Sequence, residues 1–292
     1  MCGGQMSLFR QHAASCAFPA DESWVILSPI EASIKRKIEA VGTPLSEWDI
    51  HIYRGVLTGC NEAFIIPTAR RDEILAACRD EDERRRTAEL IRPILRGRDI
   101  KRYGYEWAEL WLIATFPSRH YDIEQYPAVR DYLLSFGREK LEQTGATYTR
   151  DGQEFKARKK TNNQWFETQD SISYWDLFFQ SKICWKAVGR KLAFALVDSG
   201  IFLTAPASFI SAGKYNNYIL DFLCSSVGTY YIYKNSDTTG AGDIMLNIQS
   251  LVKFPIPFME KVDDREITND EIYRIYQFSD DEISYIETCT QR

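Results

Sequence analysis

The chain has 292 residues, of which 45% are hydrophobic and 13% aromatic, and this composition excludes a disordered polypeptide. It contains no run of 18 apolar residues and no signal-peptide pattern, so we expect a cytoplasmic protein without a membrane segment. The net charge of −5 does not exclude a nucleic-acid partner, because residues 192–292 hold 7 Lys and Arg against 14 Asp and Glu and thus carry the acidic excess.

The chemistry of the seven cysteines and three histidines is limited by their spacing. The cysteines are odd in number and widely separated, and no C-x-x-C pair occurs. This usage is typical of a reducing compartment and offers no zinc-ligand pattern. We therefore predict no metal site.

The N-terminal part is predicted to be a flexible stub followed by a helix. Residues 1–22 show little periodicity. Ser28 is a good N-cap and Pro29 suits the first helical position, and isoleucines such as Ile34 recur behind them at helical spacing. Gly42 is predicted to end this helix.

The next feature is a glycine-bearing turn between two strand-like runs, Ile50–Arg54 and Ala63–Ile66, which we interpret as a hairpin. Thr58 and Asn61 in the turn offer a hydroxyl and an amide, and Arg54 adds a cation. Such groups hydrogen-bond phosphate oxygens, and Asn can also pair with adenine. The alternative is that these residues only shape the turn.

Two charged helices are predicted within residues 70–92, and a basic loop then leads to the strand Trp111–Thr115. The cations of the loop region are Arg92, Arg96, Arg98, Lys101 and Arg102. Arginine suits bidentate contact with phosphate or guanine, so the last four are candidate DNA contacts. The alternative is a solvated basic face paired with acids such as Asp99.

A helix is predicted over residues 126–143, and a polar insertion with a hairpin turn at Asp151-Gly152 follows over 144–170. The insertion carries further candidate DNA contacts, namely Lys156, Arg158, Lys159, Lys160, Asn162, Asn163 and Trp165. The alternative is a solvent loop without a partner. Asp151, Glu154 and Lys156 also resemble the acid–acid–lysine trio of some metal-dependent nucleases, which we keep as a third hypothesis.

The remaining pattern predicts strands at Lys182–Lys186, Ala193–Val197 and Phe202–Thr204, one long helix over Tyr215–Tyr233, and an acidic helical tail over 266–289. The predicted fold class is α+β, with mixed, mostly antiparallel sheets and flanking helices.

No catalytic set accompanies the cationic segments. The pair Gly240 and Gly242 lacks the rest of a dinucleotide fingerprint, and the sequence has neither a P-loop nor a G-x-S-x-G motif. We therefore predict no catalytic residues in this chain.

Several motifs in a fixed order resemble one protein family, the C-terminal target-recognition domains (TaqI-like specificity domains) of Eco57I-like type II and IIG restriction–modification adenine-specific DNA methyltransferases. The similarity spans roughly residues 24–290. Its motifs are Arg54–Phe64, Arg92–Ile100, Trp111–Ile113, Tyr132–Phe136, Lys159–Asn163, Trp165–Glu167, Tyr174-Trp175, Lys182-Ile183, Tyr218–Leu223 and Phe254–Pro257.

This resemblance implies a module that selects a sequence in double-stranded DNA, while a separate upstream domain binds S-adenosylmethionine and transfers the methyl group. The present sequence has no Asn-Pro-Pro-Tyr or Phe-x-Gly-x-Gly motif, so we expect no cofactor and no catalysis in this chain itself. It would be an excised domain, a truncated gene product or a free specificity subunit. An alternative is an interaction subunit that docks on a methyltransferase partner.

The resemblance and the charge distribution together suggest a division of the chain. We predict a main DNA target-recognition domain over residues 23–200 and a helical C-terminal part over 201–292 that packs on it. The target DNA sequence and the oligomeric state do not follow from one sequence.

Overall fold

The computed structural model describes residues 27–150, 152–262 and 265–291. The predicted stub over residues 1–22 lies outside this range. The helices of the described part are, in chain order, α1 (Pro29–Val41), α2 (Asn61–Phe64), α3 (Thr68–Ala76), α4 (Glu81–Leu90), α5 (Pro127–Leu134), α6 (Arg138–Leu141), α7 (Asn216–Cys224), α8 (Ser226–Asn235), α9 (Ile248–Leu251), α10 (Asn269–Ile275) and α11 (Asp280–Thr290).

The strands are short and distributed along the whole described chain. They are β1 (Thr43–Pro44), β2 (His51–Arg54), β3 (Ile65–Pro67), β4 (Ile91–Leu95), β5 (Leu110–Ile113), β6 (Thr147–Arg150), β7 (Gln153–Lys156), β8 (Lys182–Trp185), β9 (Val188–Gly189), β10 (Phe194–Val197), β11 (Phe202–Leu203), β12 (Ser208–Ser211), β13 (Asp237–Thr238), β14 (Ile244–Met245) and β15 (Pro255–Ile256).

Two four-stranded sheets organise the described residues. One has the order β11-β4-β5-β3, in which only the β11–β4 pair is parallel. The other has the order β10-β8-β12-β2 and is antiparallel throughout. A small β13-β14-β9 sheet, the β6-β7 hairpin and the β1-β15 pair complete the pattern. These sheets and their flanking helices confirm the predicted α+β class.

The β10-β8-β12-β2 sheet is a common wall between two hydrophobic cores. Ile183 and Trp185 pack into a core shared with helices α1, α7, α8, α10 and α11. Cys184 and Phe209 pack into the other core, which is built on the β11-β4-β5-β3 sheet. The separation follows from strand geometry, because successive side chains of a strand point to opposite faces.

The strands β11 and β12 connect the two parts into which we divided the sequence. Both lie within residues 201–292, yet β11 pairs with β4, and β12 pairs with β8 and β2 of residues 23–200. The division at residue 200 stays a prediction.

The predicted start and end of helix α1 are confirmed. The backbone N–H of Glu31 donates to Ser28 Oγ, and the carboxylate of Glu31 accepts from the backbone N–H of Ser28 at 2.8 Å, which is a capping box. Gly42 ends the helix, where a Cβ atom would lie 2.5 Å from the backbone of Pro255. This close approach explains why a glycine stands there.

The single long helix predicted over Tyr215–Tyr233 is wrong, because α7 ends before Ser225 and α8 begins after it. The hydroxyl of Ser225 accepts from the backbone N–H of Gly228 at 2.9 Å and so caps α8. A Cβ atom at Gly228 would lie 2.1 Å from the carbonyl oxygen of Phe222, so only glycine allows the two helices to meet this closely.

The hairpin predicted around the first glycine-bearing turn is also wrong. Strand β2 pairs with β12, while β3 pairs with β5 in the other four-stranded sheet, so the two runs do not pair with each other. Between them, Thr58 Oγ1 donates to Asn61 Oδ1 at 2.7 Å and accepts from the N–H of Cys60, which places Asn61 at the start of the short helix α2. Local turn chemistry therefore begins a helix here.

The second predicted hairpin, at Asp151-Gly152, is confirmed by the antiparallel β6–β7 pair, although Asp151 of its turn lies outside the described residues.

Candidate nucleic-acid interface

The structure brings three of the predicted contact residues together in one groove of about 500 Å³, here named the basic groove. Its cations are Arg98, Lys101, Arg102, Lys186 and Lys191. Its floor is apolar and includes Ile100, Leu192, Phe194 and Leu223. None of the described residues that line it carries a carboxylate. Positive potential concentrated over an apolar floor is the arrangement that attracts a polyanion.

Hydrogen bonds to α7 and β10 hold the loop after β4 in place and position these cations. Arg102 Nη2 donates to the carbonyl oxygen of Cys224 at 2.7 Å. The N–H of Tyr103 donates to the carbonyl oxygen of Phe194 at 2.8 Å. A Cβ atom at Gly97 would lie 3.3 Å from Cβ of Lys186, so this glycine lets the loop approach the lysine. The two halves of the basic groove come from distant parts of the sequence.

Most of the charge in the basic groove is not neutralised by neighbours. Arg98, Lys186 and Lys191 have no hydrogen-bond or ion-pair partner for their side chains among the described residues. Lys101 lies 3.4 Å from Glu106, but both side chains are exposed, and exposed pairs contribute little. These cations remain available to bind an anion.

Arg96 differs from its neighbours, because it forms a two-pronged ion pair with Asp99. Its Nε and Nη2 atoms donate to the carboxylate at 3.0 and 2.8 Å. Burial raises the pKa of Asp99, but the hydrogen bonds from Arg96 outweigh this effect and hold the pKa below its ordinary value. The alternative of an acid-paired basic face therefore describes Arg96, which does not line the basic groove.

A second cleft of about 680 Å³, the lysine cleft, collects candidates from the first turn and the polar insertion. Asn61, Lys156, Lys159 and Lys160 line it together with Lys140. Lys140 pairs with Glu62 at its edge, and this contact raises the pKa of the lysine above its ordinary value. Lys156, Lys159 and Lys160 are exposed and have no ion-pair partner within the described ranges.

Three predicted contact residues are buried, namely Thr58, Arg158 and Trp165, with 1%, 5% and 7% exposure, and Arg158 is part of the lining of the lysine cleft. Arg158 donates to the backbone carbonyl oxygens of Leu141, Thr58, Glu167 and Trp165 at 2.6–3.0 Å. Burial lowers the pKa of its guanidinium to about 10. In this conformation these side chains hold loops together and are not displayed on the surface.

The other candidates lie at separate places. Arg54 is exposed and pairs with Asp170 at 3.1 Å in a third cleft. Asn163 donates to the carbonyl oxygens of Thr168 and Gln169, which fixes its amide within the insertion. Asn162 is exposed. None of these three lines the basic groove.

Sequence reasoning missed Lys186 and Lys191 of the basic groove and Lys140 of the lysine cleft. Lys186, Arg190 and Lys191 form a cluster of three cations within six residues around β9. A charge count over this segment would have found it. Such a count could not have shown that this cluster lies beside the Arg98–Arg102 loop, because the two segments are more than eighty residues apart in the sequence.

The metal-dependent nuclease hypothesis finds no geometric support in the described residues. They contain no group of three His, Cys, Asp or Glu side chains arranged to hold a metal ion. Asp151 of the proposed trio lies outside them, and Glu154 faces Thr149 across the β6–β7 hairpin.

Within the described ranges, every helix is too short or too polar to span a lipid bilayer.

The sequence matches the model of one protein family. The model of the TaqI-like C-terminal specificity domain matches residues 92–256, which is more than half of the chain. No curated protein matches the sequence significantly.

Among solved structures, the chain is similar to the type IIG restriction endonuclease BpuSI, with a TM-score of 0.48 and 14% identity over 88% of this chain and 27% of that one. It is also similar to the type IIL restriction–modification enzyme MmeI in complex with DNA, with a TM-score of 0.47 and 10% identity over 84% of this chain and 33% of that one. The chain thus spans a third or less of the length of these two structures.

Proposed function

Because the chain belongs to the family of TaqI-like C-terminal specificity domains, we propose that it recognises a sequence in double-stranded DNA for a restriction–modification enzyme. The basic groove is the observation that carries this proposal. It presents five cations, Arg98, Lys101, Arg102, Lys186 and Lys191, and no lining carboxylate. Such a groove suits the phosphate backbone, whose neutralisation supplies much of the affinity of DNA-binding proteins.

The lysine cleft forms the second part of the proposed interface. Its exposed cations Lys156, Lys159 and Lys160 would hold further phosphates, and Asn61 offers an amide that can pair with a base edge. Contacts to phosphates set the register of the duplex, and contacts to base edges select its sequence.

We further propose that methyl transfer to adenine is performed by a partner domain or subunit that binds S-adenosylmethionine. The sequence supports this division, because it lacks the Asn-Pro-Pro-Tyr and Phe-x-Gly-x-Gly motifs of that reaction. The present chain would act without catalysis or cofactor of its own, in the cytoplasm, where DNA and partner are both present.

The proposal is tested by measuring binding of fluorescent duplex DNA at several salt concentrations. With five phosphate contacts, log affinity should fall with log salt at a slope of about −4.5. The double variant Arg98→Glu plus Lys191→Glu should weaken binding at low salt by about ten-fold or more and reduce the slope by about 2. Selection from a random duplex pool should then yield a preferred sequence.

The matched control is Lys35→Glu plus Lys253→Glu, which changes the same charge at exposed cations that line a different cleft. This variant should bind duplex nearly as the parent does. Groove and control variants with equal affinities would refute the basic groove as the binding surface. No binding of the parent to any duplex at low salt, with binding restored by a methyltransferase subunit, would favour the interaction-subunit hypothesis.

A further inference from the structure

A second cavity opens beside the basic groove and is continuous with it. Its volume is about 470 Å³, and the two cavities share Lys191 and Tyr233 as lining residues. We name it the tyrosine pocket, and its remaining lining residues are Arg190, Tyr230, Lys234, Thr238, Gly242, Ile244 and Cys289. Its size lies within the range of about 300–1,000 Å³ that is typical of small-molecule sites.

The inner wall of the tyrosine pocket is aromatic and aliphatic. Tyr230 and Ile244 are 4% and 9% exposed, and Tyr233 is half-buried at the junction with the basic groove. Neither tyrosine hydroxyl has a hydrogen-bond partner among the described residues. The hydroxyl of Tyr230 still reaches solvent although the residue as a whole is almost fully buried, so an atom of a bound ligand can contact it.

The charged groups around the pocket are cationic, and their acidic partners do not line it. Arg190 lies 3.7 Å from Asp243, with 87% of its side chain exposed. Lys234 pairs with Glu31 at 2.5 Å on the other side. Lys191 has no partner in the described part of the chain and lines both cavities. The pocket thus combines flat apolar walls with an unneutralised cation at its entrance.

We propose that the tyrosine pocket binds one nucleotide, whose base packs against the half-buried ring of Tyr233, beside Tyr230 and Ile244, and whose phosphate contacts Arg190 and Lys191. Every nucleobase has a face that can stack on an aromatic ring, and the cations complement the phosphate. The nucleotide is either a free mononucleotide or an unpaired nucleotide of DNA held in the adjoining basic groove. This site does not depend on sequence recognition and goes beyond the proposed function.

The first arm of the test is a calorimetric titration of the 292-residue chain with the four deoxynucleoside monophosphates and with ribose 5-phosphate, which lacks the base. A nucleotide should bind about ten-fold or more tightly than ribose 5-phosphate, because base stacking supplies the difference. Tyr233→Leu should remove this difference, and Tyr233→Phe should retain it.

The second arm uses duplex DNA with one unpaired nucleotide and the same duplex with an abasic residue at that position. If the ligand belongs to DNA, the parent should prefer the first duplex by about ten-fold, and Tyr233→Leu should bind both equally. The control is Tyr215→Leu, a half-buried tyrosine that packs against Trp48 and Phe258 away from the pocket. It should behave as the parent does, and melting temperatures report whether each variant is folded.

A base-dependent preference in either arm that disappears in Tyr233→Leu supports the pocket and identifies the source of its ligand. If neither arm shows such a preference, or if Tyr215→Leu removes it equally, the proposal is overturned. Duplex binding through the basic groove would be untouched by that result. Conversely, mononucleotide binding without any duplex binding would refute the proposed function and leave the tyrosine pocket standing.

Discussion

The guanidinium of Arg158 donates a hydrogen bond through Nη1 to the carbonyl oxygen of Thr58 at 3.0 Å. Both residues had the sequence features of DNA contacts, and both are buried. The bond ties the turn after β2 to the segment after the β6–β7 hairpin, a hundred residues later in the sequence. Arg158 thereby supports the floor beneath the exposed lysines of the lysine cleft.

Replacing Arg158 by Met should destabilise the fold. The substitution leaves the carbonyl oxygens of Leu141 and Trp165 without a donor, and each such loss costs about 1–3 kcal/mol. The carbonyl oxygens of Thr58 and Glu167 each lose one of two donors. We expect the free energy of unfolding in urea to fall by about 3 kcal/mol or more. Lys160→Met, an exposed cation two residues away, should change it by less than about 0.5 kcal/mol. An Arg158→Met protein as stable as its parent would show that these bonds are dispensable.

Arg96 and Arg98 should respond differently to the same substitution. Arg96→Ala removes two hydrogen bonds from the buried carboxylate of Asp99, so the free energy of unfolding should fall by about 1–3 kcal/mol. Arg98→Ala should leave stability within about 0.5 kcal/mol of the parent. It should nevertheless weaken duplex binding and lower the salt slope by about 1. Urea unfolding measures the stability of each variant, and fluorescence anisotropy of a labelled duplex measures its DNA binding. Equal losses of stability in Arg96→Ala and Arg98→Ala would contradict the different roles given to the two arginines.

Lys182 makes a pH-dependent contribution to stability. Its side chain is fully buried, and Nζ donates to the carbonyl oxygens of Phe178, Gln180 and Asp198 at 3.0–3.2 Å. Burial lowers the pKa of this lysine to about 8 from its ordinary value of 10.5. Between these two values the unfolded chain holds a proton that the folded chain has released. Stability therefore rises with pH through this window.

The comparison with Lys182→Met isolates this effect. The free energy of unfolding of the parent, relative to the variant, should increase by about 2 kcal/mol between about pH 7 and pH 9.5. Tyrosines that titrate at higher pH affect both proteins and cancel in the difference. Lys253→Met, at an exposed lysine, should show no such trend. A constant difference between parent and Lys182→Met would mean that the buried lysine titrates normally.

Charge reversal in the lysine cleft should also lower the affinity for duplex DNA. The triple variant Lys156→Glu, Lys159→Glu and Lys160→Glu should weaken duplex binding by about ten-fold or more, because three phosphate contacts become repulsive. The melting temperature should remain that of the parent, since all three side chains are exposed. Lys35→Glu plus Lys253→Glu again serves as the control. Unchanged affinity would confine the interface to the basic groove.

The sequence predicted those elements whose signals are local. Helix α1 begins directly after Ser28 because a capping box acts within its first turn. Gly42, which ends the helix, was recognised as a helix terminator, but its close contact is with the distant Pro255. The β6–β7 hairpin likewise follows from its turn. The break at Ser225 was missed although its cap is local, because a continuous aromatic pattern concealed it.

By itself the sequence determined the α+β class, the order of motifs that gives the family, and a group of cations outside the acidic last third. Only the tertiary structure decided which cations act together. Arg98 and Lys191 share a groove, whereas Arg96 is held by Asp99 and Arg158 is buried. The reason is physical: charge and hydrogen-bonding capacity are properties of a residue type, but burial and partners depend on contacts between segments far apart in the chain.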